Sequence, residues 1–224
     1  MRIFMVFLFA MLIQTYVRAD PALLTVVITI QPAYCTGEKI TGTVTVTGNV
    51  TGDIGFILDA EGCRKTKAEG TGGKGRCGDT FAFTVPTNTL DSGQVKIDVV
   101  AYGIGIAGGA VGSAQKTTDL IEVHKSKLKV FHDEDNLEHS VKVSGKVTPG
   151  NGTVRLSLVW GTVSPHPDNK PEVEVAAGKK CETIDWQIVD LIFRGTPKKQ
   201  TLQVGGFYFH LGVPCPIPKL QHPK

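Results

Sequence analysis

Apolar and polar residues alternate with a period of two through much of the chain. Val44/Val46, Phe81/Phe83/Val85 and Ile184/Trp186/Ile188 each turn one side of an extended segment toward a core and leave the other side wet. β-Branched and aromatic runs cover residues 24–30, 40–46, 55–58, 81–85 and 95–102 in the first half of the chain. Residues 128–131, 140–147, 153–159, 184–191 and 201–209 do the same in the second half. Clusters of Gly, Pro, Asn and Asp separate these runs, and no segment carries an apolar stripe at helical spacing between caps. The pattern predicts an all-β chain of two tandem antiparallel β-sandwiches, immunoglobulin-like in the broad sense, after a signal peptide.

The tandem arrangement comes from an internal repeat. Gly42, Val44 and Thr45 align with Gly145, Val147 and Thr148 at an offset of 103 residues. After a one-residue deletion, Gly48, Asn49 and Thr51 align with Gly150, Asn151 and Thr153, and Ile54, Phe56 and Leu58 with Leu156, Leu158 and Trp160. Phe81, Phe83 and Val85 then match Ile184, Trp186 and Ile188. A match kept in order over such a length predicts one module over residues 20–123 and a second, shorter one over residues 124–224. After Phe209 only 15 residues remain, with Pro214, Pro216, Pro218 and Pro223 among them. A further central strand is therefore not expected there: the second module lacks an edge strand, or its tail lies across the sheet as a clamp.

Composition changes the picture mainly through the first 19 residues. Met1-Arg2, the apolar run from Ile3 to Ile13, and small residues at Val17 and Ala19 read as a secretory signal peptide cut before Asp20. Its loss takes Arg2 and Arg18 from the 24 basic residues, leaving 22 against 21 acidic ones on 205 residues. A near-neutral mature chain is not a nucleic-acid binder by charge, and no later run is long enough for a transmembrane anchor. The expected location is secreted and extracellular.

Export makes disulfides the default for the five cysteines. Pairing within each module gives Cys63–Cys77 and Cys181–Cys215. The first would staple the glycine-rich loop between them, and the second would hold the Pro-rich tail. Cys35 is then left over, as a buried thiol, as the partner of Cys63 in a different pairing, or as the thiol of a disulfide-linked dimer. Asn49-Val-Thr51 and Asn151-Gly-Thr153 are glycosylation sequons at equivalent turns of the two repeats.

Candidate chemistry is sparse. The stapled loop gathers Arg64, Lys65, Lys67, Lys74 and Arg76 against a single acid, Glu69, and is the candidate contact for an anionic glycan or an acidic protein. Residues 101–114 carry no charge and read as a hairpin, with an apolar contact to a partner or lipid as the functional alternative. Gly103-Ile-Gly105-Ile-Ala-Gly108 matches a dinucleotide fingerprint as a pattern, but the residues after it make a poor helix. His132 to His139 collects carboxylates and two histidines at spacings that fit neither an EF-hand nor a zinc helix, so an exposed turn is expected. No set of residues argues for catalysis, a cofactor or a metal.

Tyr34-Cys-Thr-Gly-Glu-Lys-Ile-Thr-Gly-Thr-Val44 resembles the opening of immunoglobulin-like sandwiches such as macroglobulin and arrestin modules. Residues 181–218, ending in Gly212-Val-Pro-Cys-Pro-Ile-Pro218, are similar to the first part of MD-2-related lipid-recognition domains. That resemblance implies a sterol or acyl chain held between two sheets. The expected function is non-enzymatic binding of an extracellular protein or anionic glycan, with an apolar-ligand carrier or a matrix component as alternatives.

Overall fold

A computed structural model describes residues 22–106, 109–124, 127–133, 138–159, 172–194, 203–208 and 213–215. The proposed signal peptide lies outside these residues. The described part is all-β, built mainly from antiparallel sheets.

In the first half, β2 (Thr25–Ile30), β4 (Ile40–Thr47) and β8 (Thr80–Val85) form one antiparallel sheet. A second sheet is built on β5 (Asp53–Glu61), β9 (Gly93–Ile104) and β10 (Ala110–Val123). Two short strands, β6 (Lys67–Glu69) and β7 (Gly73–Arg76), share the edge of β5, while β1 (Ala22–Leu23) and β3 (Ala33–Cys35) run parallel to β10. The alternating apolar residues meet between the sheets. Val44, Val46 and Val85 from one sheet and Ile54, Val95, Ile97 and Val99 from the other are fully buried in a single cluster. Each such side chain stabilises the fold by about 1.5–3 kcal/mol relative to exposure, which is why the period-two signal is obeyed.

The second half repeats the pairing scheme. β11 (Lys127–Asp133), β12 (Glu138–Thr148) and β15 (Ile184–Arg194) are hydrogen-bonded in the order β11-β12-β15, as β2-β4-β8 are. The correspondence extends to register. Ile40, Gly42 and Val44 pair with Val85, Phe83 and Phe81, while Val143, Gly145 and Val147 pair with Ile188, Trp186 and Ile184. These are the residues that the internal alignment equates. β13 (Val154–Val159) lies between β14 (Glu172–Val175) and β16 (Gln203–Tyr208), as β5 lies between β6/β7 and β9. The Pro-rich tail contributes a short strand, β17 (Val213–Cys215), which pairs with β16 and packs near β3. Pro214 is tolerated there because β17 needs ladder bonds on one side only.

The two halves are joined directly. The end of β10 pairs with β12 (Glu122↔Thr148, Val123↔Val147), and the His124 amide donates to the Lys146 carbonyl. Asp119, 5% exposed, accepts the Asn151 backbone N–H at 3.0 Å, and the Gln94 N–H donates to the Lys180 carbonyl at 2.9 Å. Across the same joint Cys63 is bonded to Cys181, with Cα atoms 5.6 Å apart.

The cysteine pairing therefore differs from the sequence expectation. Cys63 follows the last residue of β5, whereas Cys77 follows β7, which pairs with the opposite end of β5. Nine extended residues hold those two ends roughly 26 Å apart, so no Cys63–Cys77 staple can form. Cys77 is instead a half-buried free thiol, with its Sγ 3.4 Å from the Gly48 carbonyl oxygen. Cys181, bonded to Cys63, is not available to Cys215, whose side chain lies outside the described residues. Cys35, left over in the expected pairing, is buried, and it is disulfide-bonded rather than a free thiol.

Candidate interaction face

The outer side of the β5–β9–β10 sheet carries most of the large apolar side chains that the described residues leave in solvent. Strand register places them in adjoining rows. Leu23, Val111 and Tyr102 stand side by side on β1, β10 and β9, and the row ends at Gly55 and Lys74. In the next row Ile57 pairs with Val100. Their exposures are 80% for Leu23, 54% for Ile57, 45% for Val111, 39% for Val100 and 37% for Tyr102. The Tyr102 ring lies over Gly55, where a Cβ would meet Cζ at 2.8 Å, so glycine is what lets the ring lie flat against β5. A contiguous apolar patch on an otherwise hydrated sheet is the feature that distinguishes a contact surface from scattered exposed residues.

Charged rows border the patch along the strand direction. On one side, Asp59 pairs with both Glu69 and Asp98, a row of three carboxylates, and Gln115 follows Asp98. Asp98 is bonded to Lys96 at 2.8 Å and accepts from Gln115 Nε2 at 2.7 Å. Partial burial pushes the Asp98 carboxyl up, but the hydrogen bonds from Lys96 and Gln115 and the Lys96 charge outweigh it and hold it below the ordinary range. The Asp98 hydrogen bond in turn raises the Lys96 ammonium. On the other side of the patch, Lys74 and Arg76 stand on β7, with Arg76 opposite Asp53.

The five basic residues singled out from the sequence are all exposed but do not form one patch. Lys74 and Arg76 lie at one end of β5. Arg64 and Lys65 lie in the turn at the other end, near Lys67, which pairs with Glu61. The acidic row separates the groups. Residues 101–104 and 110–114 lie on the antiparallel strands β9 and β10, the two arms of the expected hairpin, but only their outward residues reach the apolar face. Ala101 and Ala110 are buried. Gly103 lies in β9 and the next described element after the glycines is the strand β10 from Ala110, while Gly108 lies outside the described residues, so the dinucleotide pattern lacks the helix it needs among the described residues. Asn49 and Asn151 are exposed in the β4–β5 and β12–β13 turns. His132 and His139 face each other in the β11–β12 register, and their side chains lie outside the described residues. Leu23 and Ile57, missed as site residues, become legible once β1 and β5 are placed beside the hairpin.

A concavity of about 560 Å³ lies near the end of β10 and the start of β11, lined in part by His124, Lys146, Asp185 and Trp186. Trp186 is 4% exposed, and its Nε1–H has no hydrogen-bond partner among the described residues. An orphaned donor costs about 1–3 kcal/mol. Trp186→Phe removes that cost together with some apolar area, so its unfolding free energy should stay within about 1 kcal/mol of wild type, against about 3–5 kcal/mol lost for a large aromatic cut to Ala. Urea denaturation of both variants checks this.

No protein-family model and no curated protein matches the chain. Among solved structures, the YadV chaperone is similar over 87% of this chain and 99% of its own, at 10% identity and a TM-score of 0.35. A DUF4785 family protein from Legionella pneumophila is similar at 12% identity and a TM-score of 0.38; the match covers 87% of this chain and 56% of that one. Neither likeness bears on what the chain does.

Proposed function

We propose that this is a secreted, non-enzymatic binding protein of two tandem immunoglobulin-like sandwiches, residues 20–123 and 124–224, that meets an extracellular protein through the outer face of the β5–β9–β10 sheet. The carrying observation is the contiguous patch of Leu23, Val111, Tyr102, Val100 and Ile57 bordered by charge of both signs. A protein partner is favoured over an anionic glycan because three carboxylates border the patch and divide the basic groups. The recurrence of Gly42↔Phe83 as Gly145↔Trp186 supports the two-module organisation. Signal-peptide cleavage before Asp20 and glycans on Asn49 and Asn151 belong to the same proposal.

The test is binding of the secreted chain to the surface and matrix of cells that express it. Val100→Lys, at the centre of the patch, should weaken binding at least tenfold, or about 1.4 kcal/mol. Arg64→Ala with Lys65→Ala should leave it within twofold. The reverse pattern would move the site to the basic turn and sink the proposal.

A further inference from the structure

The chain has five cysteines. Cys63 is bonded to Cys181, Cys77 is free, and Cys35 is disulfide-bonded. Within one chain that leaves Cys215 as the only cysteine with which Cys35 can pair. The fold brings together the two strands that end in them: β3 ends at Cys35, β17 ends at Cys215, and β17 packs near β3. β17 has three residues and pairs with β16 only, among the described residues. A strand so short needs a further tie to stay docked.

Both backbones are held in place. Cys35 is buried and lies opposite Ile121 in the β3–β10 register. Its N–H donates to the Glu38 carboxylate at 3.0 Å, and its carbonyl accepts the Glu38 N–H at 3.0 Å. Cys215 lies opposite Gly206 in the β16–β17 register. The position of Cys35 also sets it apart from the bridge already described. In the strand order β5-β9-β10-β3, β5 and β3 flank the β9–β10 pair, about 14 Å apart at three strand spacings. Cys63 follows β5, with its Sγ 3.0 Å from the Ser92 carbonyl oxygen. Cys35 is beside Ile121, whose neighbour Leu120 pairs with Gly93. The two cysteines therefore leave the same end of the sheet on either side of β9 and β10. One tie lets two halves swing about it, whereas two ties on separated strands stop the rotation.

We infer that Cys35 and Cys215 form a second disulfide between the two halves of the chain. It anchors the Pro-rich tail to β3 and, with Cys63–Cys181, fixes the halves at two points. Forming it consumes two thiols, releases two protons and passes two electrons to a disulfide donor of an oxidising compartment. One thiolate attacks the donor's disulfide, the other displaces the donor from the mixed disulfide, and the donor leaves as a dithiol. The inference rests on the proposed export only in taking such a compartment as the place of folding.

The experiment is peptide mapping of the folded chain as isolated from expressing cells, alkylated before and after reduction. Trypsin leaves each cysteine on its own peptide: those of Cys35, Cys63, Cys77, Cys181 and Cys215 end at Lys39, Arg64, Lys96, Arg194 and Lys219. Two linked pairs are expected, Cys35 with Cys215 and Cys63 with Cys181, on a chain that runs as a monomer without reductant. Only Cys77 should be alkylated before reduction. Cys215→Ser should free Cys35 for alkylation, leave the Cys63–Cys181 pair intact and speed hydrogen exchange in β17 at least tenfold. Where that variant does not fold, the map of the wild-type chain decides.

Cys35 linked to any other cysteine overturns the inference, as does a Cys35–Cys215 link that joins two chains into a dimer. Cys35 alkylated before reduction while Cys63 and Cys181 remain linked overturns it too. Export fails separately. If all five cysteines are alkylated before reduction, the chain is refolded in a buffer of glutathione and glutathione disulfide and mapped again. A Cys35–Cys215 link formed there keeps the inference and counts against export; its absence there overturns the inference.

Discussion

Replacing Cys63 and Cys181 together by Ala should lower the unfolding free energy by about 3–5 kcal/mol. The bridge spans 118 residues of sequence, and closing a loop of that length in the unfolded chain corresponds to about 5 kcal/mol in the chain-entropy account. Locally, the bridge holds the Lys180 carbonyl within reach of the Gln94 amide. The double substitution should therefore also speed hydrogen exchange at Gln94 well before global unfolding. Reducing the wild-type protein should shift its denaturation midpoint in the same direction. Cys77→Ser supplies the contrast, because that thiol is half-buried and free, and its loss should move stability by less than about 0.5 kcal/mol. Equal effects from the two changes would mean that the Cys63–Cys181 link does not hold the halves together.

What could be read in advance, and what could not, follows from the range of the interactions concerned. Period-two alternation is local, so the strands around Val44, Phe83, Ile97 and Ile188 were visible as sequence. Their pairing was partly visible too, because the repeat equates Gly42 and Phe83 with Gly145 and Trp186, and both pairs are in cross-strand register. β7 was hidden, since Gly73-Lys-Gly-Arg76 has the composition of a flexible loop. It is extended only because the open edge of β5 supplies its hydrogen bonds. The Cys63–Cys77 staple fails for a related reason. Proximity in sequence made Cys63 and Cys77 look like a staple, but a straight strand separates them, and the partner of Cys63 comes from the other half of the chain. Half of the candidate face is legible in the uncharged hairpin. Ile57 and Leu23 are not, because exposure on an outer sheet face depends on which strands lie alongside.

Gly93→Ala should be among the most damaging single-methyl additions in the chain, at about 3–4 kcal/mol. Gly93 has φ +115°, where a side chain is strained by about 1–3 kcal/mol. A Cβ there would also lie 2.1 Å from the Lys180 carbonyl oxygen and 3.2 Å from the Cys181 Cα. Both neighbours are backbone, so no rotamer change relieves the clash, and the disulfide keeps the segment from backing away. This makes the two large effects interdependent. In the Cys63→Ala, Cys181→Ala background the Lys180 segment is free to retreat, and the Gly93→Ala cost should fall to the conformational strain alone. A double-mutant cycle by urea denaturation should then give a coupling of about 1–2 kcal/mol, well beyond the few tenths expected of independent sites. Strict additivity would show that the methyl group is accommodated without pressing on the second half, and that the joint at Gly93 is looser than its geometry indicates.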